Sequence, residues 1–378
     1  MTEKRIRILH IAEAAGGIDR YLKSLFKYMD RSKFENILIC SQNYKPNDYI
    51  ELADEIIQIN MAHSLKPSAQ LRTIKELRKK IKQIKPDFIY CHSSVAGGTG
   101  RLAAIGTSSK VIYNPHGWAF NMEISKEKKA VYILLERLLA HSTDNIICIS
   151  EAERISAKQK KITNSKKLVV INNGIDLERF NSCQMKKRSD LNIPDQAFLI
   201  GMTGRICKQK GTDIFVKAAA EIKKAIPEAY FLLIGDATPS DLTMKTQIEM
   251  LIKKYNLENC LQITGWIDQP ETVEPLLDVG LLLSRWEGFG LVLPEYMISG
   301  VPVVATKTDA IPFIVNDYQN GLLVPVEDVQ AVVEKVLEIH TSPSLRERII
   351  NRAKEKAANN YNAHQMAERL EKELLKII

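Results

Sequence analysis

Apolar runs of strand length alternate with longer segments of helical period from one end of the chain to the other, and this alternation constrains the fold more than any single motif. Short apolar strands separated by amphipathic helices pair in parallel, and a parallel sheet needs helices over both of its faces. In the first half Ile6–Ile11, Asn36–Cys40, Ile56–Ile59, Phe88–His92, Val111–Asn114, Ile146–Ile149 and Leu168–Ile171 read as strands. Amphipathic segments such as Leu71–Ile84 and Ala130–Ala140 lie between them. The stretch 176–197 is polar and lacks a strong period, which suits a domain boundary. A second set follows: Phe198–Met202, Tyr230–Ile234, Leu261–Ile263, Gly280–Leu283, Val303–Ala305 and Leu322–Val324. Two segments of helical period, Ser344–Asn359 and His364–Ile378, end the chain. With 378 residues the chain exceeds one ordinary core and suits two domains of roughly 180 residues each. The expected class is α/β, with two doubly wound, Rossmann-like domains over residues 1–180 and 181–362. Ligands of such sheets bind at the carboxyl ends of the strands, here in a cleft between the domains.

Composition narrows the function classes. Hydrophobic residues at 45% and charged residues at 26% are those of a globular protein, and no run reaches the ~18 apolar residues of a membrane span. The first apolar segment, Ile8 to Ala12, contains His10 and is closed by Glu13, so a signal peptide is not expected. Six scattered cysteines without a C-x-x-C pair point to a reducing cytoplasm and to thiols that pack as small apolar side chains. Charge is uneven. Residues 1–180 hold 30 Lys and Arg against 19 Asp and Glu, a net +11, whereas residues 181–378 hold 23 against 26, a net −3. Clusters such as Arg78-Lys79-Lys80-Ile81-Lys82 and Lys126-Glu127-Lys128-Lys129 are either solvated helix faces or attractors for an anionic membrane surface or substrate. They lack interleaved aromatics, so nucleic acid is not an expected partner.

Several stretches could carry chemistry. Ser284-Arg285-Trp286-Glu287-Gly288-Phe289-Gly290-Leu291-Val292-Leu293-Pro294-Glu295 runs from a strand through a glycine turn into a helix. Glu287 belongs in that turn and Glu295 in the helix, so both carboxylates lie beside a helix N-terminus that suits phosphate. Gly204-Arg205-Ile206-Cys207-Lys208-Gln209-Lys210-Gly211 joins a strand to a helix, and Arg205 with Lys210 suits a diphosphate that gains charge as it leaves. Gly16 and Gly17 let backbone N–H groups approach an anion after the first strand, unless they simply make a tight turn. His116 ends a strand next to Gly117, on the side facing a cleft. His10 reads as core, and His92 is open. Gly235-Asp236 and Ile263-Thr264-Gly265-Trp266-Ile267 end two further strands, where an apolar wall including Ile267 could receive a flat base or could be plain core. One rival pattern, Gly98-Thr99-Gly100-Arg101-Leu102-Ala103, fits a dinucleotide fingerprint, but it follows the fourth strand and no acid ends the next.

Taken in order, these motifs resemble the retaining glycosyltransferases of family 4, which have the two-domain GT-B fold, and the resemblance covers almost the whole chain. It rests on Gly16-Gly17, His116-Gly117, Asn173-Gly174-Ile175-Asp176, Gly204-Arg205 with Lys210-Gly211, Gly235-Asp236, the E-x7-E element from Glu287 to Glu295, and Ser299-Gly300-Val301-Pro302. The resemblance implies transfer of a sugar from a nucleotide diphosphate sugar, with UDP the expected nucleotide, to an acceptor hydroxyl. It further implies that Arg205 and Lys210 bind the diphosphate beside Gly204, that Glu287 holds sugar hydroxyls, and that the backbone of Gly288, Phe289, Gly290 and Leu291 lies along sugar and phosphate. Glu295 would bind the ribose, His116 would sit near the reacting sugar, and Gly16-Gly17 would meet phosphate and acceptor. Such enzymes need no metal or other cofactor. Their last helix, here 363–378, returns to the first domain. A lipid-linked saccharide acceptor at the cytoplasmic face of a bacterial membrane would account for the basic first half. Alternatives are an NAD-dependent oxidoreductase using Gly98 and Gly100, and a sugar-nucleotide binding protein without turnover. The missing glycine after Asp236 and the bulky Arg285-Trp286 depart from the family pattern and are expected to tune donor choice.

Overall fold

The structure is a computed structural model that describes residues 4–14, 16–61 and 67–378. The chain divides into two compact units, one of Met1–Gly174 with Ala363–Ile378 and the other of Ile175–Asn362.

The first unit is a seven-stranded parallel sheet: β1 Ile6–Ala12, β2 Phe34–Cys40, β3 Glu55–Gln58, β4 Phe88–His92, β5 Lys110–Asn114, β6 Asn145–Cys148 and β7 Leu168–Val170, in the order β3-β2-β1-β4-β5-β6-β7. Strands buried on both faces are apolar throughout, which is why they read as continuous hydrophobic runs. Helices α1 Gly17–Tyr28, α2 Pro67–Ile84, α3 Ser94–Ala104, α4 Lys126–Leu139 and α5 Glu151–Gln159 connect them. One core lies under α1 and contains Ile8, Leu38 and Phe26; the other, on the opposite face, contains Leu9, Leu77 and Ala103.

The second unit is a six-stranded parallel sheet: β8 Phe198–Thr203, β9 Ala229–Ile234, β10 Leu261–Ile263, β11 Val279–Leu282, β12 Val303–Thr306 and β13 Leu322–Val324, in the order β10-β9-β8-β11-β12-β13. Its helices are α6 Leu177–Ser182, α7 Thr212–Ala225, α8 Leu242–Lys254, α9 Val292–Ser299, α10 Ile311–Ile314, α11 Val329–Thr341 and α12 Pro343–Asn360. The boundary expected at residue 180 lies inside this unit. Ile175 bridges Asn362, and Arg179 of α6 holds Glu271 at 2.6 Å, so the polar segment is tied down by its own contacts. The last helix, α13 Ala363–Ile377, buries Met366, Leu370 and Leu374 in the α1-side core of the first unit. Its Glu371 accepts from the Asp30 amide and its Glu373 from Asn145, both at 2.7 Å.

The dinucleotide pattern is corrected by the structure. Gly97, Gly98 and Gly100 lie inside α3, not in a turn ahead of it. A Cβ on Gly97 would stand 2.3 Å from the Tyr113 ring, and one on Gly100 would stand 2.5 Å from Cys91 Sγ. These two glycines let the helix lie close on the sheet, so they cradle no phosphate. All six cysteines are free thiols, five of them buried. Among the described residues no helix is long and apolar enough to cross a membrane.

Candidate functional site

In the second sheet the chain leaves β8 toward β9 on one side and returns to β11 on the other, so the loops after β8 and β11 diverge at the carboxyl ends of the strands. Such a divergence leaves a crevice. Two glycines set how closely the loops approach. A Cβ on Gly211 (φ +69°) would lie 2.2 Å from Leu283 O, and a Cβ on Gly235 (φ +140°) would lie 2.1 Å from Gly204 O, distances no larger residue can accept. Gly211 thereby seats the Lys208–Lys210 turn against the segment that continues into Ser284 and Glu287.

The outcome is an ion pair between residues 77 apart in sequence: Lys210 Nζ stands 2.6 Å from Glu287 Oε2. Ser284 Oγ donates to the same oxygen at 3.0 Å, and the Glu287 amide donates to Asp309 at 2.9 Å. The Lys210 and Glu287 side chains are only 18% and 10% exposed, so the charges attract strongly and are held in place. Arg205 lies on the same loop after Gly204, but its guanidinium is 42% exposed and its nearest carboxylate, Asp241, is 3.8 Å away. It is a partly solvent-facing cation on that loop.

Beyond Glu287 the chain passes the half-buried Gly288 and then Phe289, whose ring is buried edge-on to Tyr361 at 5.6 Å, leaving that residue's backbone as its polar part. Gly290 takes φ +85° and Leu291 caps α9. Glu295 is buried in the first turn of that helix. Tyr296 fixes the helix, because its hydroxyl accepts from the Thr203 amide at 2.6 Å and its ring lies where a Cβ on Gly280 would stand. On the other flank Gly235 bridges Gly265, Asp236 pairs with Lys245 at 2.8 Å, and Ile267 is half-buried beside a largely exposed Trp266.

Arg285 is held by the protein itself. Its guanidinium grips both oxygens of Asp213 at 3.0 Å, pairs with Glu327, and donates to Lys208 O at 2.6 Å. Burial opposes its charge, but the hydrogen bonds from Asp213 and Glu327 outweigh burial and raise its pKa. It clamps the Glu287 segment to the Lys210 loop.

In the first unit the equivalent divergence lies between β1 and β4. Gly16 caps α1 with φ +82°, and a Cβ on Gly16 or Gly17 would meet no atom within 4 Å, so space is open there. Ala15 lies outside the described residues. His116, also with positive φ, is half-buried and heads a chain the sequence reading missed. His116 Nε2 is 3.0 Å from His92 Nδ1, His92 Nε2 is 3.2 Å from His10 Nδ1, and His10 Nε2 is 3.1 Å from Asn36 Oδ1. The register explains the ladder. His10 sits opposite Tyr90 across β1–β4, and His92, two residues on, shares that face by the period of a strand.

With its carbonyl oxygen toward His10, Asn36 orders the whole chain. His10 donates from Nε2, and therefore accepts at Nδ1 from His92, which in turn accepts at Nδ1 from His116. His116 Nδ1 is then left as an acceptor. Burial lowers the pKa of His10 and His116 to about 3 and that of His92 well below the usual value, so all three rings are neutral near pH 7. His116 is consequently a neutral hydrogen-bonding group and not a cation for a leaving phosphate. Tyr21 of α1 packs edge-on to its ring at 4.8 Å and shares a 2.9 Å hydrogen bond with Tyr90. Next to it, Glu153 accepts from the Gly117 and Ile149 amides at 2.5 and 2.9 Å and fixes the turn after His116.

Residues 184–356 match the family described as glycosyl transferases group 1, and residues 15–179 match glycosyltransferase family 4. A protein from the cps region of Klebsiella pneumoniae is 32% identical over 346 residues, spanning 89% of this chain and 90% of its own length. The UDP-Gal:alpha-D-GlcNAc-diphosphoundecaprenol alpha-1,3-galactosyltransferase of Escherichia coli is 27% identical over 368 residues, covering 93% of this chain and 94% of its own. In fold the chain is similar to Anabaena Alr3699/HepE, solved in complex with UDP and glucose, with a TM-score of 0.85 at 19% identity over 98% of this chain and 99% of that one.

Proposed function

This chain belongs to the group 1, family 4 glycosyltransferases, and we propose that it transfers a sugar from a UDP-sugar to a hydroxyl of a lipid-linked saccharide, with retention at the anomeric carbon and without a metal. The Lys210–Glu287 ion pair carries the reading. A cation and a carboxylate held together at the mouth of a parallel sheet, beside the start of α9, form a self-neutralised site that a nucleotide sugar can open. Its diphosphate takes Lys210 and the partly exposed Arg205, and its sugar hydroxyls take Glu287, which Ser284 and Asp309 keep in position. Glycosidic bond breaking moves negative charge onto the diphosphate, so the two cations stabilise the transition state more than the ground state. Glu295, in the first turn of α9, would take the ribose, and Ile267 would flank the base. Within the first unit, neutral His116 offers a hydrogen-bond acceptor and the open space at Gly16 and Gly17 would admit a phosphate. UDP as the nucleotide and a lipid-linked acceptor are supported by the partners named for the Anabaena and Escherichia coli proteins.

Thermal shifts with UDP, GDP, ADP and NAD test the donor class, since a ligand at ~100 times its dissociation constant adds roughly 2.7 kcal/mol of stability. UDP should give the largest shift. Lys210→Ala should then slow transfer about a hundredfold, matching ~3 kcal/mol for one transition-state donor. Stabilisation by NAD alone, or unchanged turnover in Lys210→Ala, would remove the reading.

A further inference from the structure

Helix α4 in the first unit is packed inside out. Residues 130–140 are apolar except for Glu136 and Arg137, so burying one face leaves a second apolar face outside. The charged residue chooses which. Glu136 Oε2 lies 2.8 Å from Arg101 Nη2, Glu136 Oε1 accepts from Tyr113 Oη at 3.0 Å, and the fully buried Arg101 guanidinium stacks 3.7 Å from the Tyr113 ring centroid. Turning Glu136 outward would strand the Arg101 charge in the core, so this pair fixes the helix's rotation. Tyr132 and Ile133 follow Glu136 inward and pack on the core.

The opposite face presents Val131, Leu134, Leu135 and Leu138 at 55%, 56%, 46% and 59% exposure. This i, i+3, i+4, i+7 spacing makes one continuous stripe. Met122, 42% exposed, precedes the helix. By the 100° advance per residue, Lys128 borders the stripe on one side, while on the other Arg137 and Lys126 lie about 60° and 80° beyond Leu134, with Arg137 donating to Lys160 O at 2.6 Å. Glu127, at the N-terminal end of the stripe, is the one exposed acid of the helix.

We propose that the outer face of α4 docks on an anionic lipid bilayer, with the aliphatic stripe entering the headgroup boundary and the lysines on lipid phosphates. The chemistry selects this occupant. A helix with an aliphatic face edged by Lys and Arg lies in the plane of a membrane interface. A second copy would set one basic rim against another, on a half of the chain that carries a net +11. The stripe itself has no aromatic residue to anchor a protein pocket. Docking deepens the lipid-linked acceptor proposed above by saying where the enzyme meets the membrane, but it can be measured without any transfer reaction.

The test is flotation of the full chain with neutral phosphatidylcholine vesicles and with vesicles containing about 30% phosphatidylglycerol. Binding should favour the anionic vesicles at least about tenfold and should weaken in high salt. Leu134→Ser with Leu138→Ser should cost about tenfold or more, and Lys126→Gln or Lys128→Gln on the order of fivefold each. The thermal shift given by UDP should be the same in every variant, which shows that they fold. The proposal is overturned by wild-type protein that binds neither vesicle or both equally, by variants that bind as wild type does, or by a wild-type dimer that the leucine variants dissociate. Absence of a UDP shift in the wild type would count against the donor reading alone.

Discussion

Replacing His10 with leucine separates two effects of one buried ring. At neutral pH the substitution strands Asn36 Oδ1 and the His92 Nε2–H, both in the core. An unpartnered buried group costs about 1–3 kcal/mol, so the first unit should lose roughly 2–5 kcal/mol. Acid then narrows the gap. Burial holds the His10 pKa at about 3, against 6.5 for the ordinary side chain. Between those values the unfolded chain binds a proton that the folded protein refuses, so stability rises with pH in this window and falls as pH drops through it. For one such ring the loss is nearly nothing at pH 7.5 and about 2 kcal/mol at pH 5.0. Leucine does not titrate, so the difference between wild type and His10→Leu should shrink by about 2 kcal/mol over that interval. Groups that do not touch His10 cancel in the comparison. Glu153 is one of these: burial, working against its two amide donors, pushes its pKa up to about 8, giving a pH dependence of opposite sign. Urea unfolding followed by the buried Trp118 reports on this unit once Trp266 and Trp286 of the second unit are changed to Phe in both proteins. A gap that stays constant or widens on acidification would refute the neutral ladder.

Three more outcomes follow from the geometry. With the chain's seven histidines labelled at the ring nitrogens, NMR should show His10, His92 and His116 each carrying the proton on Nε2 at pH 7. The reverse set, all on Nδ1, would mean that Asn36 presents its amide nitrogen to His10. Arg285→Lys keeps a charge but loses the two-pronged grip on Asp213. It should destabilise the second unit by about 1.5–3 kcal/mol in urea titrations, and a normal midpoint with altered donor preference would return Arg285 to the site. Gly235→Ala places a methyl 2.1 Å from Gly204 O at a φ of +140°, so folding of the second unit should drop by more than about 3 kcal/mol, visible as insoluble or protease-sensitive protein.

Among the described residues the thirteen strands all stand within two residues of where the apolar runs place them, because parallel strands covered on both faces are predominantly apolar. The candidate site residues stood out for a related reason: they are glycines and charges at the ends of such strands, though there Gly211 and Gly235 also serve close backbone approach. What the sequence did not reveal was partnership. Lys210 and Glu287 meet only because β11 returns beside β8, and the partner of Arg285, Asp213, lies 72 residues away on α7. His10 and His92 are 82 residues apart, yet β1–β4 pairing puts them on one face of one sheet. The strand order typical of a doubly wound fold would have placed them together had it been applied residue by residue.

The same reasoning explains why the period of α4 alone does not give its orientation. An apolar period says that a helix has a face, and only a residue that breaks the pattern says which face is inside. Glu136 breaks it, and its partner Arg101 comes from α3, so the answer depends on a contact that periodicity cannot contain. His10 breaks the apolar run of β1 in the same manner and is likewise held by distant polar partners. Burying either side chain without its partner would cost more than the surrounding apolar contacts return. These exceptions therefore orient the elements that carry them: Glu136 leaves an apolar stripe outside, and His10 begins a ladder that ends at the exposed edge of His116.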